Sequence, residues 1–286
     1  MQQLFLPKAF TGKFDLQTPH IIYISKVNKE DRNHPRTLHS HSDIVELLLI
    51  TGGQGIIFID EEQVAVQKGD LVVYNSGVVH EESFRNEAVS LYCIGLRGTN
   101  EKNLRVGGLI PEQSYPVLKT NQLFPAIVNL FETCYFVLEQ RKLNYATIVQ
   151  QLFETLLLLL KSNILQAEDV RVKNNEKLAI VQDIKLHMDK NYAQDFKIKD
   201  LENNKQWPIN SFYFAHKFKE IYGYSPIEYL QRRRVGEAQT LLINTNYSIT
   251  EIANSVGFNS SAYFSTLFKK LVSLSPKEYR KRYVKQ

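Results

Sequence analysis

The last third of the chain carries a two-copy repeat, and that limits its fold more than any other feature. Phe212–Arg232 (FYFAHKFKEIYGYSPIEYLQR) aligns with Ala262–Arg282 (AYFSTLFKKLVSLSPKEYRKR) at a constant offset of 50, with nine of 21 positions identical. The shared residues include Tyr213/Tyr263, Phe214/Phe264, Phe218/Phe268, Ser225/Ser275, Pro226/Pro276 and Tyr229/Tyr279. Two copies are too few for a solenoid, so the pattern predicts a duplicated small helical unit.

Helix-start signals delimit that unit. Ser225-Pro226-x-Glu228 and Ser275-Pro276-x-Glu278 read as capping boxes with Pro at the first helical position, where its missing N–H costs nothing. Ser248-Ile-Thr-Glu251 is a third box, opening a short helix that Gly257 closes. Ser260 caps the next helix, and Asn210 does so in the earlier copy. A short helix, a glycine-containing turn and a second helix make a helix-turn-helix pattern. The connecting helix, about Pro226 to Ile243, would be ~27 Å long at 1.5 Å per residue. That suits two recognition helices entering major-groove segments one turn, ~34 Å, apart.

Charge agrees with a polyanion partner for this part. From Glu176 onward there are 18 Lys and Arg against 11 Asp and Glu, whereas the preceding part is slightly acidic. Lys217, Lys219, Arg232, Arg233, Arg234, Lys269, Lys270, Arg280 and Arg282 are the expected phosphate contacts, a number of them plain solvated charges. The 286 residues suggest two domains. Cys93 and Cys134 are too few for a disulfide framework or a Cys-based zinc site, and a reducing cytoplasm fits them. The longest apolar stretch, Leu156–Leu160 and its flanks, lies between Glu154 and Lys161, far short of the ~20 residues of a membrane span, and the first residues do not resemble a cleaved signal.

Before the repeat the period is two. Ile21–Val27, Ile44–Thr51, Gln54–Asp60, Asp70–Asn75 and Val89–Leu96 alternate with turn residues such as Gly52-Gly53 and Lys68-Gly69-Asp70, which indicates a sandwich or small barrel. Two amphipathic helices follow, one through Phe124, Ile127, Phe131, Tyr135 and Leu138, the other over about Tyr145–Ser162. The second is apolar nearly all round, from packing on its own barrel or from a subunit interface; a homodimer through 121–165 is expected. Polar Gln166–Asn175 is the linker. The division is thus 1–165, a β-rich domain with two helices and the expected dimer contact; 166–175, the linker; and 176–286, the helical domain expected to bind the polyanion. Leu4–Leu16 reads as an arm over the barrel mouth or a loose end. His20, His34 and His187 read as ordinary buried or surface histidines.

Two resemblances sharpen this. Ile249-x2-Ile252-Ala253-x3-Gly257-Phe258-x4-Tyr263-Phe264-Ser265-x2-Phe268-Lys269-Lys270, ending in Ser275-Pro276-x2-Tyr279-Arg280, resembles the signature of the AraC/XylS transcription regulators, as does Arg234-Val235-x2-Ala238-x2-Leu241-Leu242. The first unit departs from it: Glu202 stands where a small residue is usual, and Asn203–Asn210 is about two residues longer than the family's turn and holds Trp207-Pro208. The resemblance implies base readout by Ser211, Phe212, Ala215 and His216 in the first unit and by Ser261, Ala262, Ser265 and Thr266 in the second. None is Arg, the residue suited to a bidentate grip on guanine, so A·T-rich half-sites are expected.

His39-x-His41-x4-Glu46-x6-Gly53 with Gly69-x5-Asn75-x-Gly77-x2-His80 is similar to the two motifs of the cupin barrel, departing at Asn75 and Phe84. His39, His41, Glu46 and His80 match the family's ligand positions. They suit a zinc or iron ion, a polar ring around a small organic effector, or a structural network. In regulators built like this one the effector reading prevails, so His39, His41, Glu46, Tyr74 and His80, with Tyr23 as a further lining residue, are expected to bind an effector, and no cofactor is assigned. The fold expected is a cupin-like β-barrel with two following helices, then an all-α double helix-turn-helix domain. The function expected is an effector-controlled regulator of transcription, an activator by analogy, with double-stranded DNA as partner. The alternatives are a metal-dependent cupin enzyme with an accessory helical domain, and a constitutive DNA-bending protein.

Overall fold

The computed structural model describes residues 2–15, 17–28, 36–60, 62–82, 89–165 and 179–283. The expected linker, Phe84 and His34 lie outside the described residues. Ten strands come first: β1 (Gln2–Phe5), β2 (His20–Val27), β3 (Arg36–His39), β4 (Val45–Gly52), β5 (Gln54–Ile59), β6 (Glu62–Gln67), β7 (Asp70–Tyr74), β8 (His80–Glu82), β9 (Ser90–Arg97) and β10 (Val117–Lys119), with the one-turn helix α1 (Lys8–Thr11) after β1. They form two sheets, β1-β2-β9-β4-β7-β10 and β3-β8-β5-β6, and every described pairing is antiparallel.

The period of two explains how the layers assemble. Leu48, Ile50, Val72, Tyr74, Leu91 and Cys93 of the six-stranded sheet turn inward against Ile57, Ile59, Val64 and Val66 of the other. Their neighbours Leu47, Leu49, Leu71, Val73, Tyr92 and Ile94 turn outward, beneath α2 (Phe124–Gln140) and α3 (Tyr145–Asn163). A strand such as β4 is therefore apolar on both faces because both are covered. The leucine run of α3 divides in the same way: Leu156, Leu157 and Leu160 are buried on the barrel, while Leu158 is 67% exposed.

The helical part comprises α4 (Ala179–Lys190), a 3₁₀ helix (Ile198–Asn203), α5 (Ser211–Tyr222), α6 (Pro226–Asn244), α7 (Ile249–Ser255), α8 (Ser261–Val272) and α9 (Pro276–Tyr283). The caps form at the expected residues. Asn210 accepts from the amides of Phe212 and Tyr213, and Ser260 from Tyr263. Ser248/Glu251 and Ser275/Glu278 are reciprocal boxes. The expected box at Ser225 is half-made: its hydroxyl accepts from the Glu228 amide, but the Glu228 carboxylate faces Arg232 at 3.6 Å. Ser248→Ala should cost about 1 kcal/mol, because α7 has only seven residues and its start depends on that hydroxyl; a denaturant titration of the intact chain measures this.

Gly257, at φ +90°, follows α7 in the left-handed conformation, and a Cβ there would lie 2.3 Å from the Ala193 carbonyl oxygen. At the ends of α5 and α8, offset by 50, Gly223 and Ser273 are both left-handed. The long first-unit turn is packed rather than loose: Trp207 and Ile209 are buried, the indole meets the His187 ring edge-on at 4.8 Å, and the Asn204 side chain accepts from the Gln206 and Trp207 amides.

The two halves share one core. Leu38, Phe58 and Val79 of the barrel pack with Phe214, Phe218, Tyr222 and Tyr229 of the first helical unit, while the second unit has a core of its own. The rod α6 lies on β3, so close that a Cβ on Gly236 would come within 2.0 Å of the Leu38 carbonyl oxygen. Thr37 donates through its amide and its hydroxyl to Gln239 Oε1, at 3.0 and 2.9 Å.

Candidate DNA interface and effector site

Both recognition helices present an open face. Over Ser211–Glu220 and Ser261–Lys270 the degree of exposure agrees at nine of ten positions, so α5 and α8 are buried along the same stripe and bare along the same stripe. Phe212, His216, Ala262 and Thr266 are exposed, and Ser211, Ala215, Ser261 and Ser265 half-buried beside them. The Ser265 and Thr266 hydroxyls fold back onto the carbonyls of Ser261 and Ala262. Lys269 and Lys270 are exposed on the last turn of α8. Lys217 is half-buried and held by Glu220 at 2.8 Å.

Two expected phosphate contacts, Arg232 and Arg233, are corrected, and Arg234 is partly engaged within the protein. Arg234 donates from Nε to the Tyr192 carbonyl at 2.7 Å and from Nη2 to that of Gln194 at 2.8 Å, tying the loop after α4 to the rod. Arg232 is buried against Glu81 of β8, with 2.8 Å between Nη1 and Oε1. Arg233 is buried between Asp189 and Glu237, at 3.2 and 2.7 Å. The Arg232–Glu81 pair crosses between the two halves, and Tyr224 adds its hydroxyl to Glu81. The guanidinium groups of Arg232 and Arg233 are sealed against protein and leave phosphate contact to other residues, while Arg234 stays half-exposed.

Inside the barrel the expected set converges. One ligand atom from each of His39, His41, Glu46 and His80 lies within 4.8 Å of the others. His80 Nε2 is 2.7 Å from Glu46 Oε2, His41 Nε2 is 3.7 Å from Oε1, and the Tyr23 hydroxyl donates to Oε1. The Tyr74 ring stacks on His80 at 4.0 Å. His39 and His80 each hydrogen-bond through Nδ1 to a backbone carbonyl, of Thr37 and Val78, which aims Nε2 inward. Arg36 was not singled out by sequence, yet its Nε donates to His39 Nε2 at 3.2 Å while its Nη2 reaches Thr240 on α6 at 2.8 Å.

The protonation states follow. Burial, reinforced by the Arg36 charge, keeps His39 well below the ordinary histidine range. Burial likewise depresses His41, to about 4. Burial also opposes charge on His80, but the hydrogen bond and charge of Glu46 outweigh it and raise that imidazole. Burial alone would raise Glu46; its histidine neighbours and the His80 hydrogen bond hold it low instead. Of the three imidazoles, His80 is thus the one the cluster favours as the cationic partner of Glu46. Burial pushes Glu82 up to about 7 against the pull of His80. Histidine-resolved NMR titration should show His80 gaining its proton above pH 6.5 and His41 only near pH 4. Because its folded-state value is the lower one, His41 contributes stability that is complete above 6.5 and lost as pH falls through 4. His41→Gln should flatten that part of the acid-unfolding curve.

A cavity of about 410 Å³ opens beside this cluster, between Phe5 and Leu6 of the arm, Tyr23, Arg36 and His41 of the barrel, and Ile243 in the last turn of α6. The arm is fixed there by pairing of β1 with β2. His41 thus joins the cluster to the cavity, while His39, Tyr74 and His80 lie buried behind it.

Comparison with known proteins agrees with this architecture. Residues 22–160 match the AraC-like ligand binding domain family, and residues 206–282 match a helix-turn-helix domain family. The chain belongs to the AraC-type transcription regulators. It is 28% identical to the uncharacterized HTH-type transcriptional regulator YdiP of Escherichia coli K12, over 86% of this chain and 81% of that protein. It is 26% identical to the HTH-type transcriptional activator RhaR of Mannheimia succiniciproducens, over 95% and 99%. Among solved structures, ToxT of Vibrio cholerae O395 is 15% identical over 92% of this chain and 98% of that one, with a TM-score of 0.46. This AraC-type protein is a DNA-binding regulator of transcription with a ligand-binding domain; similarity to regulators along nearly its whole length sets aside the enzyme alternative.

Proposed function

We propose that a small polar effector, entering by the cavity at His41, engages His39, His41, Glu46, Tyr74 and His80, and that β3 and β8 carry its effect to the rod α6. The single observation that supports this is the division of labour along each strand. On β8, His80 turns inward to Glu46 while the next residue, Glu81, turns outward to Arg232. On β3, His39 joins the cluster while Arg36, Thr37 and Leu38 meet α6. A shift at the histidines therefore moves the surface on which the rod rests. The effector's influence equals its difference in affinity between docked and released arrangements.

Three imidazoles and a carboxylate also suit zinc or iron, and the backbone-bonded Nδ1 atoms resemble metal-site geometry. However, Arg36 occupies the inward lone pair of His39 and brings a guanidinium cation to that position. A neutral or anionic organic ligand fits better than a metal cation.

On DNA, Ser211, Phe212, Ala215 and His216 of α5 and Ser261, Ala262, Ser265 and Thr266 of α8 read bases, preferring A·T-rich half-sites, and Lys217, Lys269 and Lys270 meet phosphates. The protein acts in the cytoplasm, as an activator like RhaR, and no helix among the described residues is long and apolar enough to cross a membrane. Residues 1–165 form the effector domain and 176–286 the DNA-binding domain, joined by 166–175. It pairs through α2 and α3, whose Phe136, Ile148 and Leu158 are exposed, with Leu143 exposed in the turn between them.

The test is DNA-binding selection with the intact chain, repeated across a metabolite panel. At least one compound should change affinity about 5- to 150-fold, and His80→Gln should abolish that change while leaving effector-free binding intact. DNA affinity indifferent to every compound would overturn the reading.

A further inference from the structure

The two DNA-reading units start their recognition helices differently, by a carboxylate that only the first unit has and by an Asn cap in place of a Ser cap. In the second unit Ile252 and Ala253 are both buried in the first helix. In the first unit Leu201 is buried, but Glu202 is exposed and reaches the start of α5. Its Oε1 accepts from the Ser211 amide at 3.1 Å and the Ser211 hydroxyl at 2.5 Å. Asn210 takes the next two amides, of Phe212 and Tyr213. The first three N–H groups of α5 are thus satisfied within the protein. At α8, Ser260 takes only the Tyr263 amide; those of Ser261 and Ala262 have no hydrogen-bond partner among the described residues.

Helix N-termini attract phosphate because unpaired N–H groups and the helix dipole favour negative charge there. The start of α8 retains that property, whereas α5 has a carboxylate in the place a phosphate would take. Glu202 Oε2 has no hydrogen-bond partner among the described residues, and it stands beside Ser211, the first residue of the recognition helix. A free carboxylate oxygen in the major groove repels phosphate and the acceptor edge of guanine, and accepts from an exocyclic amine.

We propose that Glu202 is a specificity-determining residue of the first unit, excluding phosphate from the start of α5 and selecting a base that presents an amino group, cytosine N4 or adenine N6. This rests on the reading that α5 enters the groove. The first unit then discriminates at that base in addition to whatever phosphate contacts Lys217 makes.

The experiment compares intact wild-type protein with Glu202→Gln, whose amide oxygen keeps the cap on Ser211 without the charge, and with His216→Ala. Glu202→Gln should bind random-sequence duplex several-fold more tightly, with a slope of log affinity against log salt steeper by about one. Selection should recover cytosine or adenine at one first-unit position with wild-type protein and lose it with Glu202→Gln, while the thermal midpoints agree. Unchanged slope and unchanged selected site in Glu202→Gln, with His216→Ala weakening binding, would show a cap only and overturn the proposal. If His216→Ala also leaves affinity unchanged, α5 does not touch DNA, and the underlying reading falls with it.

Discussion

Gly236→Ala should separate the barrel from the helical domain. A Cβ at this position would lie 2.0 Å from the Leu38 carbonyl oxygen, 2.6 Å from its carbon and 2.9 Å from the Thr37 carbonyl oxygen. All three are backbone atoms of a paired strand, so no side chain can swing aside. The rod would have to rise off β3, stretching the Thr37–Gln239 and Arg36–Thr240 hydrogen bonds and opening the shared core around Leu38. Overpacking of this kind costs about 1–3 kcal/mol or more. Within the helix the same change is favourable, by about 0.5–1 kcal/mol, because glycine loses more backbone freedom on folding than alanine. Calorimetry should show the barrel and helical transitions, coupled in the wild type, pulled apart in Gly236→Ala, and X-ray scattering a larger radius of gyration. A variant that melts and scatters like the wild type would show that the contact does not hold the halves together.

Breaking the buried pair between Glu81 and Arg232 should have the second large effect. Both side chains are nearly sealed from water, so removing one leaves the other's charge desolvated. Glu81→Ala is expected to cost about 3–5 kcal/mol, and Arg232→Met a similar amount, whereas the double replacement by apolar residues should recover most of the loss. A double-mutant cycle in denaturant unfolding measures this, and additive single effects would contradict it. The Tyr224 ring, 4.4 Å from the Arg232 guanidinium, would remain to cover an apolar replacement.

The local features were legible because local chemistry sets them. Asn210, Ser248 and Ser260 cap where their side chains reach the next free amides, and the offset of 50 placed α5 and α8 with the same exposed face. The His39, His41, Glu46 and His80 convergence was legible through the resemblance to the cupin motifs. Arg232 and Arg233 misled, since three consecutive arginines on a helix resemble a solvated, phosphate-ready face. Their partners Glu81 and Asp189, and the carbonyls of Tyr192 and Gln194 that hold Arg234, come from other elements and cannot be seen from α6 itself. A signal was present nonetheless: Gly236, inside a helix and next but one to Ala238, marks a close approach by another backbone. Arg36 escaped notice for the same reason, since its role depends on Thr240, 204 residues away. Glu228 shows the limit of motif reading even at short range, its carboxylate going to Arg232 instead of completing a box.

Hydroxyl-radical footprinting of the intact chain on a selected duplex tests most directly whether α6 holds two reading helices against one side of DNA. Two protected patches centred about 10 base pairs apart, in phase on one face, are the expected result. A single patch, or two patches half a turn out of phase, would contradict it.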